Sequence, residues 1–75
     1  MKELLLKTKE KYAGVRGIIV AARAEYQAEL EKSKAANVGK YALIPWESGV
    51  ESCNRQLWIV DQVLLDLERL LNAAK

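Results

Sequence analysis

Apolar residues recur along the chain at spacings of three and four, in two long runs. The later run is the more regular. Val50, Cys53, Leu57, Val60, Leu64, Leu67, Leu71 and Ala74 follow one another without a miss. Such spacing returns each side chain to one stripe of an α-helix, a heptad seam with a at position 50 and d at 53. Ser48-Gly49-Val50-Glu51 has the S-x-x-E form of a capping box just before it. Pro45 lies upstream, where it blocks a helix arriving from the N-terminal side. The pattern predicts a helix over about 48–74.

The earlier run carries Leu5, Thr8, Tyr12, Val15, Ile19, Ala22, Tyr26 and Leu30 at the same spacings, with less uniform side chains. Val15, Ile18, Ile19 and Val20 are β-branched and favour a strand over 15–22. Strict alternation is absent, however, and the flanks KTKEKYA and ARAEYQAELEKSKAA are strong helix formers. A helix over about 2–36 is predicted, with Asn37 or Gly39 as its C-terminal stop. Residues 37–47 then form a loop of about eleven residues, longer than a helical hairpin needs. Tyr41, Leu43, Ile44 and Trp46 make this loop apolar and aromatic. It can plug the open end of a bundle, or it can present a docking knob, since Trp and Tyr dominate interface hot spots.

Two helices with complementary seams fold back on each other. In an antiparallel pair the residue numbers of each core layer add to a constant, and a sum of 86 sets Tyr12 against Ala74, Val15 against Leu71, Ile19 against Leu67, Ala22 against Leu64 and Tyr26 against Val60. Beside the seam, Arg16 then meets Glu68 and Arg23 meets Asp61, while Lys9 lies near Lys75. The basic column Lys2, Lys9, Arg16, Arg23 thus runs along Asn54, Asp61, Glu68.

The hairpin seam does not use up the apolar surface. Gly14, Gly17, Ala21, Ala24 and Ala28 form a second three-four stripe on the first helix. Ile59, Val63 and Leu70 widen the second helix on one side, and Trp58 and Leu65 widen it on the other. Alanine is common on solvated helix faces. Glycine in mid-helix costs about 1 kcal/mol relative to alanine, which calls for a compensating contact. These residues are therefore the expected interface with a second copy or a partner helix.

Size sharpens that expectation. Seventy-five residues allow one domain, and a chain this short buries a small fraction of its surface. Small scaffolds add disulfides, a metal or oligomerisation. A single cysteine, Cys53, and no histidine argue against the first two. A lone thiol also points to a reducing, cytoplasmic setting. The apolar run GIIVAA is bounded by Arg16 and Arg23, too short for a membrane span of about 20 residues. Glu3 and Glu10 do not suit a secretion signal, although Ala22-Arg23-Ala24 has the form of a cleavage site.

Charge adds one alternative. Residues 1–40 carry nine Lys/Arg against five Glu, and residues 41–75 carry three against five acids, so the halves stand at +4 and −2. Such polarity pairs the two halves or serves nucleic-acid contact. Lys7, Lys9, Lys11, Arg16 and Arg23 are the candidate phosphate contacts, diluted by Glu3 and Glu10.

No catalytic constellation is expected. There is no histidine base, Gly14-x-x-Gly17 lacks the context of a phosphate loop, and Asp61 and Glu68 read as surface ion partners. The expectation is an all-α single domain over 1–75, an antiparallel hairpin that self-associates into a four-helix bundle. Its expected role is non-catalytic protein interaction, as an inhibitor, adaptor or assembly factor, with no cofactor, metal or membrane partner. Nucleic-acid binding is the alternative.

Overall fold

A computed structural model of the protein describes residues 1–74. It contains two helices, α1 over Lys2–Ala35 and α2 over Lys40–Ala73, each of 34 residues. They pack side by side in a hairpin measuring 56 × 14 × 12 Å. No strand forms among the described residues, and 15–22 lies inside α1. No helix is long and apolar enough to cross a membrane among those residues.

The two seams meet as their spacing requires. Every buried side chain among the described residues belongs to a seam: Ile19 and Leu30 on α1, and Cys53, Leu57, Val60, Leu67 and Leu71 on α2. Ile19, Cys53, Leu57 and Val60 form the central cluster, with Val20, Ala22 and Leu64 packed around it. The less uniform seam of α1 contributes the smaller share. Among the described residues no side chain falls below 2% exposure, because a two-helix layer leaves each seam residue close to water on both flanks.

The connection differs from the expected loop. It is a turn over 36–39, and α2 starts at Lys40 rather than at 48. Asn37 supplies the stop for α1. It adopts φ 58°, the left-handed conformation that asparagine tolerates. Its N–H donates to the Lys34 carbonyl at 3.0 Å, and the Val38 N–H donates to the Ser33 carbonyl at 3.4 Å. These two bonds are the Schellman pattern, which satisfies carbonyls left over at a helix end. Gly39, extended at φ −65° and ψ 157°, caps α2 with its backbone, and its carbonyl accepts from Ala42 at 3.0 Å.

Two local signals were therefore overridden. Ser48 lies exposed within α2, so Ser48 and Glu51 do not cap a helix start. Pro45 lies inside α2. Its missing N–H removes one bond to the Tyr41 carbonyl, near a residue 86% exposed, where water can replace it. In return, two further turns form and bring Trp46 against α1. The Trp46 and Tyr26 rings lie 6.3 Å apart at 44°, a tilted aromatic contact. Pro45→Ala is thus expected to stabilise the hairpin by about 1–2 kcal/mol, since it restores one helical bond at an exposed position. A thermal melt with no gain would show that the helix does not run through position 45.

The register also differs, and by one heptad. The Lys9 ammonium lies 3.5 Å from Glu68, Arg16 Nε donates to Asp61 at 2.7 Å, and Arg23 donates to Asn54 at 3.0 Å. Each basic residue meets the expected column seven residues earlier than anticipated. Tyr26, expected opposite Val60, packs near Gly49 and Trp46. The reason is geometric. A heptad seam still faces its partner after a slide of seven residues, so the seam pattern alone does not choose. The turn chooses, and a turn of four residues in place of eleven moves the point of reversal. Lys75, expected near Lys9, lies outside the described residues.

Candidate functional site

The three cross-helix polar pairs define the two long sides of the hairpin. Lys9, Arg16 and Arg23 each follow a seam residue of α1 by one position. Asn54, Asp61 and Glu68 each follow a seam residue of α2 by one. One residue turns a helix by about 100°, so these side chains project to one flank and form a polar ladder. Residues that precede the seam by one position turn to the opposite flank. On α1 these are Leu4, Lys7, Lys11, Gly14, Ile18, Ala21, Glu25 and Glu29. On α2 they include Ile59, Val63 and Leu70. No hydrogen bond or ion pair joins the two helices on this open side among the described residues.

The expected interface residues divide between two surfaces. Gly14 and Ala21 share the open side with Ile59, Val63 and Leu70. Gly17, Ala24 and Ala28 precede the seam by two positions and turn to the back of α1. All five small residues are exposed, and a Cβ added at Gly14 or Gly17 would meet nothing within 4 Å. Ile59 and Leu70 are exposed, and Val63 is half-buried. Sequence reasoning missed Ile18 as a surface residue, although it is 71% exposed. Its place one position before Ile19 is the signal that could have found it.

The aromatic segment is helical. Tyr41 and Ile44 project from the first turns of α2, whereas Leu43 and Trp46 are half-buried. The expected loop knob is therefore replaced by a helix start that packs through Trp46 and exposes Tyr41. A shallow cleft of about 410 Å³ opens beside it, lined by Ala22, Glu25, Tyr26, Ala28, Glu29 and Trp46.

The basic candidates do not form one strip. Lys9, Arg16 and Arg23 are engaged in the ladder, and Lys7 and Lys11 stand on the opposite flank. No cluster suited to a metal ion occurs among the described residues, and Cys53 is a buried free thiol in the seam.

The ladder gives a direct check of register. Arg16 and Asp61 are each 46% exposed, so solvent screens the pair and its coupling is only about 0.5 kcal/mol. Arg16→Glu is expected to be partly rescued by Asp61→Arg and not by Glu68→Arg in denaturant titrations at low salt. Rescue by Glu68→Arg instead would place the helices one heptad apart from the arrangement described.

Family models, curated proteins and solved structures were compared with the chain, and none matches it.

Proposed function

We propose that this chain is a small non-catalytic protein-interaction module, an inhibitor, adaptor or assembly factor, that works as a self-associated four-helix bundle. One observation carries the reading. The chain exposes 5783 Å², whereas a compact monomer of 8.4 kDa exposes about 4,600 Å². The excess of about 1,200 Å² is of the size that one partner contributes to a stable complex, about 800 Å² or more. Much of it is apolar: Ile18, Ile59 and Leu70 stand exposed on one side. Pairing two hairpins would convert a single layer into a bundle with an interior.

Tyr41 and Ile44 offer a second contact, for a protein other than a copy. The buried thiol of Cys53 suits a reducing, cytoplasmic setting. Nucleic-acid binding draws less support, because Lys9 and Arg16 are already paired with carboxylates.

Light scattering across a dilution series tests the assembly. More than one chain per particle is expected at micromolar concentration. A folded monomer throughout would remove the bundle. Binding to random DNA or RNA that falls steeply with salt would favour the nucleic-acid alternative.

A further inference from the structure

We infer that two copies dock about a two-fold axis through the open side, α1 against α1 and antiparallel, with Ile18 on the axis. Lys11 and Lys7 of each copy then face Glu25 and Glu29 of the other. The inference rests on the self-association reading and specifies its geometry.

The spacing of charges supports this docking. On the open side of α1, Lys11 and Glu25 each lie seven residues from Ile18, and Lys7 and Glu29 each lie eleven. Seven residues of helix span about 10 Å and eleven span about 16 Å. A two-fold axis through Ile18 exchanges the two ends, so each lysine meets a glutamate and symmetry doubles the count to four pairs. A parallel pairing would place like against like. An isologous contact needs such a self-complementary patch.

These charges also lack partners within the hairpin. Lys7, Lys11, Glu25 and Glu29 are exposed and make no ion pair or side-chain hydrogen bond among the described residues. The corresponding positions of the other flank are already joined across the hairpin.

The shape of the open side fits as well. Ile18 is flanked by Gly14 and Ala21, which leave room for a second helix to approach, and Gly14 faces open space. Ile59, Val63 and Leu70 of α2 extend the apolar centre. The cleft beside Glu25 and Glu29 has Tyr26 and Trp46 among its walls. It can take the aliphatic stem of a lysine from the other copy, with an ammonium near carboxylates and aromatic rings.

Sedimentation equilibrium at low ionic strength tests the docking with two charge-reversed variants, Lys7→Glu/Lys11→Glu and Glu25→Lys/Glu29→Lys. Each alone turns four attractive pairs into repulsive ones. Each is expected to weaken dimerisation at least about tenfold. An equimolar mixture is expected to form heterodimers at parental affinity, because an all-acidic face then meets an all-basic one. Circular dichroism confirms that each variant is folded. Should either variant unfold, the fourfold reversal of Lys7, Lys11, Glu25 and Glu29 provides the same test, since two-fold docking predicts a parental dimer for it. A parental dimer that both double variants leave unchanged would overturn this docking and spare the self-association reading. So would variants that fail to pair when mixed, or a particle of more than two chains. A parent that is monomeric at every concentration would defeat both.

Discussion

Leu57→Ala is expected to bring the hairpin close to unfolding at room temperature. Leu57 is 7% exposed and sits in the central cluster with Ile19, Cys53 and Val60. Truncating a buried leucine costs about 2–5 kcal/mol, from lost transfer energy and the cavity left behind. A chain of 75 residues has a total stability of about 4–11 kcal/mol. Urea titration should therefore show a midpoint shift that consumes a large part of the baseline. The adjacent Trp58 is 66% exposed, and Trp58→Ala should cost less than about 1 kcal/mol. If the two changes cost the same, the seam does not run where the packing places it.

Gly49→Leu is expected to be as damaging, for the opposite reason. A Cβ at Gly49 would lie 2.5 Å from Tyr26 Cδ1, 2.7 Å from Cγ and 2.8 Å from Cε1. These atoms are the root and edge of the ring, not a flexible tip. The ring would have to swing away and lose its contact with Trp46. Overpacking of this kind costs about 1–3 kcal/mol, and leucine belongs at the upper end. Gly49→Ala should still destabilise, although alanine in a helix gains about 1 kcal/mol over glycine. Gly17→Ala, on the open back of α1, should gain about 0.5–1 kcal/mol. Thermal melts of the three variants check the order. A gain at Gly49 would mean that Tyr26 does not cover it.

Both of these positions show what the sequence could and could not convey. The seams were legible, since all the buried residues belong to the two three-four runs. The antiparallel pairing and the columns that form the ladder were legible too. Hydrophobic and charged periods of seven report which faces meet but not at what height, so Tyr26 was placed opposite Val60 and not against Gly49. Height depends on the turn, and there local rules pointed the wrong way. A proline and an S-x-x-E motif are good signs of a helix start. They lost to the packing of Trp46 and to an asparagine able to end α1 within a four-residue turn. The surface proposed for docking was half legible. Gly14, Ala21, Ile59, Val63 and Leu70 were read as contact residues, but Ile18 and the four charges around it were not. Their grouping follows only once the ladder fixes which flank of α1 adjoins which flank of α2.

The equivalence of registers has a consequence for how the chain folds. A hairpin slipped by seven residues brings Arg16 to Glu68 and Arg23 to Asp61, still opposite charges, and still buries seam against seam. It lacks the Tyr26–Trp46 contact and the first two turns of α2. An unfolded chain that zips its seams before the turn closes can thus arrive at a near-native trap, and escape requires the helices to part. Loops of about ten residues close in about 10–100 ns. A chain in which the Asn37 turn closed before the seams met would bypass that trap. Once closed, the four-residue turn leaves the two seams one alignment in which to meet.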